Sequence, residues 1–151
     1  AIADRVAVMN RGAIVQAGAP ADIYNSPEHL FAAAFVGNRN ALELAVRDGR
    51  VRLGSAFDVP APAGANGRVT AFIAPEDVIV APAGDRGEPA VVAERTFHGA
   101  VTRLHLRLAT DGPPLLIYAD LPSRSASSIA PGSTVSVRVE PDHVSSFSPA
   151  D

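Results

Sequence analysis

Few residues in this 151-residue sequence have the types and spacing to do chemistry. In "TRLHLRL", Arg103, His105 and Arg107 alternate with Leu104, Leu106 and Leu108, so a strand would carry the basic groups in a row on one face. Such a row could receive an anion. It could equally be a solvated strand face or a contact with a partner domain. Pro75-Glu76-Asp77 brings two carboxylates together after a proline. They form either an acid pair or a turn whose acids cap the next element or face water. Pro75, Glu76, Asp77, Arg103, His105 and Arg107 are therefore the candidate interaction or regulatory residues. Histidines at 29, 98, 105 and 143 have no partner at metal-ligand spacing. "SRSASS" (123–128) reads as a polar loop, and no G-x-S-x-G elbow accompanies it. No catalytic, metal-binding or cofactor-binding residue is expected.

Composition narrows the classes further. The chain is 47% hydrophobic and 19% charged, which fits a soluble globular protein. Cysteine is absent, which excludes disulfides and thiolate metal sites. No apolar run approaches the roughly 20 residues of a membrane helix, and the N-terminus lacks the pattern of a signal peptide. All 13 basic residues are Arg, yet the net charge is −3. With 5% aromatics, this argues against a nucleic-acid binder, which needs a basic groove and stacking platforms. Thirteen Pro and 12 Gly favour many short elements joined by turns, hence an all-β fold over a helix bundle.

The elements follow from the pattern. "RVAVMNRGAIVQAGAP" reads as a hairpin with a three-residue turn around Gly12, both of its faces apolar. Pro20 opens a short helix. "SPEHLFAAAFVGN" reads as a second helix, with Ser26 as N-cap, Pro27 at N1, a Leu30-Phe31-Ala34-Phe35 stripe and Gly37 at the C-terminal cap. From Ala41 the texture changes to strands. "LELAVRDGRVRL" is a hairpin turning at Asp48-Gly49; strands follow near 68–74 and 78–81. Further strands flank a break at His98-Gly99, and "LLIYADL", "TVSVRVEP" and a short tail through Phe147 complete the set. Residues 41–151 thus predict seven to nine strands, an estimate from turn spacing, closed into a small barrel or sandwich. Leu104, Leu106, Leu108, Val135, Val137 and Val139 should share its core.

The stretch "ADRVAVMNRGAIVQAGAPADIYNSPEHLFAAAFVGNRNAL" resembles the end of the ATPase domain of bacterial ABC importers, in the subgroup that includes maltose, spermidine/putrescine, iron(III) and sulfate importers. In that subgroup an ADR-apolar-M-x-x-G-x-I-x-Q-x-G-x-P-x-x-I-Y-x-x-P line follows the switch histidine. An F-V-A-x-F-[IV]-G helix then leads into the C-terminal TOBE domain, an OB-like β-barrel. The likeness runs over positions 3 to 37. "FIAPEDVIV" (72–80) is similar to the family's IRPEDI segment, with Ala74 where Arg is usual. Ala19 stands where Thr or Ser would cap the short helix.

The resemblance implies residues 1–40 as an α/β remnant of the nucleotide domain and 41–151 as the TOBE barrel. It implies a regulatory or dimerisation role, a homodimer with residues 1–40 at or near the contact, and membrane-spanning permease subunits and a substrate-binding protein as further partners. The location implied is the cytoplasmic face of the bacterial inner membrane. ATP and Mg²⁺ would act in the intact parent, an ATPase. This chain holds no G-x-x-x-x-G-K-[ST] loop, signature motif or switch histidine of its own and is expected to be inactive. Barrels of similar fold in molybdate-binding proteins bind oxyanions, so a small oxyanion-binding protein is the alternative.

Overall fold

The structure is a computed structural model that describes residues 6–10, 13–18, 39–109 and 113–148, the first two segments as backbone. β1 (Val6–Asn10) and β2 (Ala13–Gly18) form the expected hairpin. Asn10 itself pairs with Ala13, so two residues rather than three connect the strands, and the register shifts between Val8 and Met9. The two helices expected between Pro20 and Gly37 lie outside the described residues.

From Asn40 onward the chain is a succession of antiparallel strands. β3 (Asn40–Arg47) and β4 (Arg50–Leu53) flank Asp48 and Gly49, whose φ values of 53° and 72° give the left-handed two-residue turn that Asp-Gly favours. β5 (Phe57–Pro60), β6 (Arg68–Ile73), β7 (Ile79–Pro82), β8 (Glu88–His98), β9 (Val101–Leu108) and β10 (Leu115–Pro122) follow. A one-turn helix α1 (Ser123–Ala126) precedes β11 (Thr134–Arg138) and β12 (Ser145–Phe147). β3 to β12 make ten strands, one more than the upper expectation. The addition is β5, four residues ending in proline, which pairs along all of β4. α1 likewise corrects the expectation of a plain loop at 123–128.

The strands form two five-stranded sheets, ordered β10-β9-β8-β11-β7 and β12-β6-β3-β4-β5. Their inner faces share one core. Leu104, Leu106, Leu108, Val135, Val137 and Val139 are all buried in it, as the alternation requires, beside Leu42, Val51, Val69 and Ile117. The sheets are joined by two similar 3₁₀ turns, Pro75–Asp77 between β6 and β7 and Pro141–His143 between β11 and β12. Each turn carries the chain from one sheet to the other. Proline suits this position because the first N–H of such a turn has no partner to lose.

Candidate functional site

The row on β9 is built by strand alternation. Leu104, Leu106 and Leu108 fill the core, which turns Arg103, His105 and Arg107 to the outer face. Antiparallel register then sets Asp120, Tyr118 and Leu116 of β10 directly opposite Arg103, His105 and Arg107. On the other side, β8 sets Thr96 opposite Arg103 and Glu94 opposite His105.

These neighbours decide what the row can do. Arg103 forms a two-pronged bond with Asp120, Nε to Oδ1 at 2.8 Å and Nη2 to Oδ2 at 3.0 Å. Both side chains are about four-fifths covered (21% exposed), and the guanidinium also lies 5.5 Å from the Tyr118 ring centre. The Asp120 bond, and more weakly the charges of Tyr118 and Glu76, hold the Arg103 proton even more firmly than usual against the opposing effect of burial. His105 stands edge-on to Tyr118, with ring centres 4.9 Å apart at 90°. Its Nε2 shares a 3.1 Å hydrogen bond with the Thr96 hydroxyl, and its Nδ1 lies 3.5 Å from Glu94 Oε2. Arg107 is exposed beside Leu116 and makes no ion pair with a described residue. Of the row, Arg103 is therefore already matched by a carboxylate, His105 is fixed by three neighbours, and Arg107 alone offers an uncommitted cation among the described residues.

The acidic turn divides. Pro75 is fully buried and anchors the Pro75–Asp77 turn, which packs against β10. Glu76 is exposed and lies close enough to Arg103 to act on its charge. Asp77 points elsewhere: its Oδ1 is 3.7 Å from His143 Nδ1, where the two proline turns meet, in a hollow of about 140 Å³ shared with Arg39, Asp142 and Ser145. The structure thus gathers Pro75, Glu76, Arg103 and His105 around Tyr118 and Asp120, and leaves Asp77 and Arg107 outside. A cleft of about 630 Å³ bordered by Glu43, Arg52, Arg68 and Glu88 contains none of the candidates.

Three residues of this cluster escaped sequence reasoning. Tyr118 and Asp120 were visible as the outer half of "LLIYADL", but their partners required the β9–β10 register. Asn40 is buried, and its side-chain amide donates to the Tyr118 C=O at 2.9 Å while its carbonyl accepts from the Tyr118 N–H at 2.7 Å. A side chain here imitates a strand partner and ties β3 to the outer edge of β10. No sequence signal announces that contact. Among the described residues no group of three or more His, Asp or Glu could hold a metal ion, and no helix is long and apolar enough to cross a membrane.

Residues 71–147 match the model of the TOBE domain. The chain belongs to the TOBE domain family. That match runs from the middle of β6 to the end of β12, and so includes both proline turns and the whole Arg103–Asp120 cluster. A sulfate/thiosulfate import ATP-binding protein of Chromobacterium violaceum is 42% identical over 153 residues, covering 91% of this chain and 39% of that protein. A spermidine/putrescine import ATP-binding protein of Rubrobacter xylanophilus is 35% identical over 153 residues, covering 94% of this chain and 40% of the relative. The chain thus spans about two-fifths of the length of these relatives. Among solved structures, the cytoplasmic molybdate-binding protein ModG superposes with a TM-score of 0.56 at 17% identity, covering 73% of this chain and 96% of that one. At that identity the likeness is one of fold, and it agrees with an OB-like TOBE barrel.

Proposed function

We propose that this chain is the regulatory and dimerisation module of an ABC importer's ATP-binding subunit. The observation that carries the reading is the joint one: a TOBE domain over residues 71–147, within a chain aligned over nine-tenths of its length to import ATP-binding proteins. The parent would hydrolyse Mg-ATP and couple it to solute import. Its partners would be a second copy of itself, permease subunits and a substrate-binding protein, and it would work at the cytoplasmic face of the inner membrane. The site fits that architectural role. The Arg103–Asp120 fork, His105 and Glu76 make a nearly charge-balanced, pre-ordered surface of the kind that docks against protein. The oxyanion alternative draws support from the fold shared with ModG, itself a molybdate-binding protein. The Asp120 carboxylate weighs against it, because an anion at Arg103 would have to displace a two-pronged partner.

The test is a titration of the 151-residue chain by calorimetry with Mg-ATP, molybdate, tungstate and sulfate, beside light scattering at micromolar concentration. A dimer with no saturable binding of any of these ligands at millimolar concentration is expected. Saturable ATP binding would overturn the assignment of nucleotide chemistry to the rest of the parent. Saturable molybdate or tungstate binding would favour the alternative.

A further inference from the structure

The β8–β9 hairpin extends past the sheet that carries it. β11 pairs with β8 from Glu88 to Val91, and the last backbone bonds on that side are Gly132 N–H to Val92 C=O and Val92 N–H to Ser133 C=O. The register of β8 against β9 shifts between Val92 and Glu94. Beyond the shift, residues 93–98 are all exposed, with β9 on one side and no described backbone partner on the other. An unpaired edge of this kind is a template for another strand.

Its geometry fixes which groups face outward. His98 pairs with Val101 across the Gly99-Ala100 turn, where Gly99 has a φ of 76°. In a two-residue hairpin that pair exchanges hydrogen bonds, and the pattern alternates from there. His98, Thr96 and Glu94 therefore bond to β9, and Arg95 and Phe97 turn their N–H and C=O to the open side. Phe97 is 72% exposed, the most exposed large apolar side chain among the described residues. Arg95 is anchored, its Nη1 donating to the carbonyls of Ala126, Ser127 and Ile129 at 3.2, 3.2 and 2.8 Å. That anchoring removes much of the entropy cost of using its stem as a contact surface.

We propose that this edge pairs with its own counterpart in a second copy, antiparallel about a two-fold axis through Thr96. The proposal rests on the dimerisation reading above and names the surface for it. The register is chosen by the sequence of the edge itself. With Thr96 opposite Thr96 of the second copy, Arg95 falls opposite Phe97 and Glu94 opposite His98. The outward-facing Arg95 and Phe97 then form two reciprocal hydrogen-bonded pairs flanking a non-bonded Thr–Thr pair, as an antiparallel ladder requires. Each Phe97 lies on the anchored stem and guanidinium of Arg95. Each Glu94, whose side chain is 74% exposed, meets an imidazole. A shift of two residues either way loses this matching: it sets Thr96 opposite Glu94 or His98, and places Arg95 or Phe97 opposite itself.

The chain has no cysteine, so a single one reports cleanly. In the proposed register the Cα atoms of position 96 are about 4.5 Å apart, within disulfide range. Thr96→Cys is expected to crosslink to a covalent dimer under mild oxidation, at least about tenfold faster than Glu140→Cys, an exposed control away from the hairpin. Glu94→Lys, measured by sedimentation equilibrium, is expected to raise the dimer dissociation constant about tenfold. A chain that stays monomeric at about 100 µM would overturn this pairing and the dimerisation reading together. A dimer whose Thr96→Cys form crosslinks no faster than Glu140→Cys would overturn the edge pairing and leave dimerisation standing.

Discussion

At the scale of single residues, two carboxylates organise arginines in contrasting surroundings. Asp120 holds Arg103 by two bonds in a place where both are about four-fifths covered. Asp120→Asn keeps the shape but leaves a largely covered guanidinium short of one of its two acceptors. The expected loss is about 1–3 kcal/mol in urea unfolding; no loss would mean that the pair is decorative. Asp58 works differently. It accepts from Arg50 Nε at 2.7 Å and Arg52 Nε at 2.8 Å on an open face. The Arg50 bond leads in holding its carboxyl below the ordinary value of 3.8. A carboxyl lowered by folding adds stability above its unfolded pKa and loses it as pH falls through the folded one. The gap in urea midpoint between wild type and Asp58→Asn should therefore be present at pH 7 and close below about pH 4. It should be small throughout, because the pair is well solvated. A gap constant down to pH 2 would remove the ion pair as its cause. The core is the contrasting case: Leu106 is fully buried, so Leu106→Ala should cost about 2–5 kcal/mol.

At the scale of elements, strands with a one-sided pattern were legible and their long-range partners were not. The alternation of "TRLHLRL" fixes which face of β9 is inward without any neighbour: Leu104, Leu106 and Leu108 are each 0% exposed. The Asp48-Gly49 turn carried its own signature in two residues of positive φ. β5 was missed because its pattern of four residues is too short to register a period and ends in proline, which belongs on an edge strand such as this one. The candidate site was legible in half. Arg103 and His105 were found because they alternate with leucines; Asp120, Tyr118 and Asn40 were hidden because register, not composition, brings them together. Asn40 lies 78 residues from Tyr118. Its clip gives a firm expectation: Asn40→Ala leaves the Tyr118 N–H and C=O without their partner and should cost about 1–3 kcal/mol. In amide exchange, the Tyr118 N–H should lose protection more than its inner neighbours Ile117 and Ala119. Equal loss across β10 would mean that Asn40 supports the sheet in bulk rather than closing its edge.

At the scale of the whole molecule, the topology forbids the two sheets from behaving as separate units. β6 and β7 belong to different sheets, as do β11 and β12, and each pair is joined by a three-residue proline turn. The two exchanges are mutual: β12 returns to pair with β6, and β11 pairs with β7. Neither sheet can therefore lose its outer strand without pulling on the other. The shared core adds a second linkage, since residues of both sheets bury against each other in one cluster. The backbone bond from Val139 N–H to Ala56 C=O and the bond from Ser55 N–H to the Glu88 carboxylate tie the β4–β5 end of one sheet to the β8–β11 part of the other. Cooperative two-state unfolding follows from such mutual dependence. In a Tyr24→Phe background, fluorescence reports Tyr118 on β10 of one sheet alone, because the chain has no Trp and no third Tyr. Far-ultraviolet dichroism reports the strands of both. The two urea transitions are expected to coincide in midpoint and slope. A Tyr118 transition displaced by more than about 0.5 M from the dichroism would show a sheet melting on its own, and the exchanged proline turns would then be hinges rather than locks.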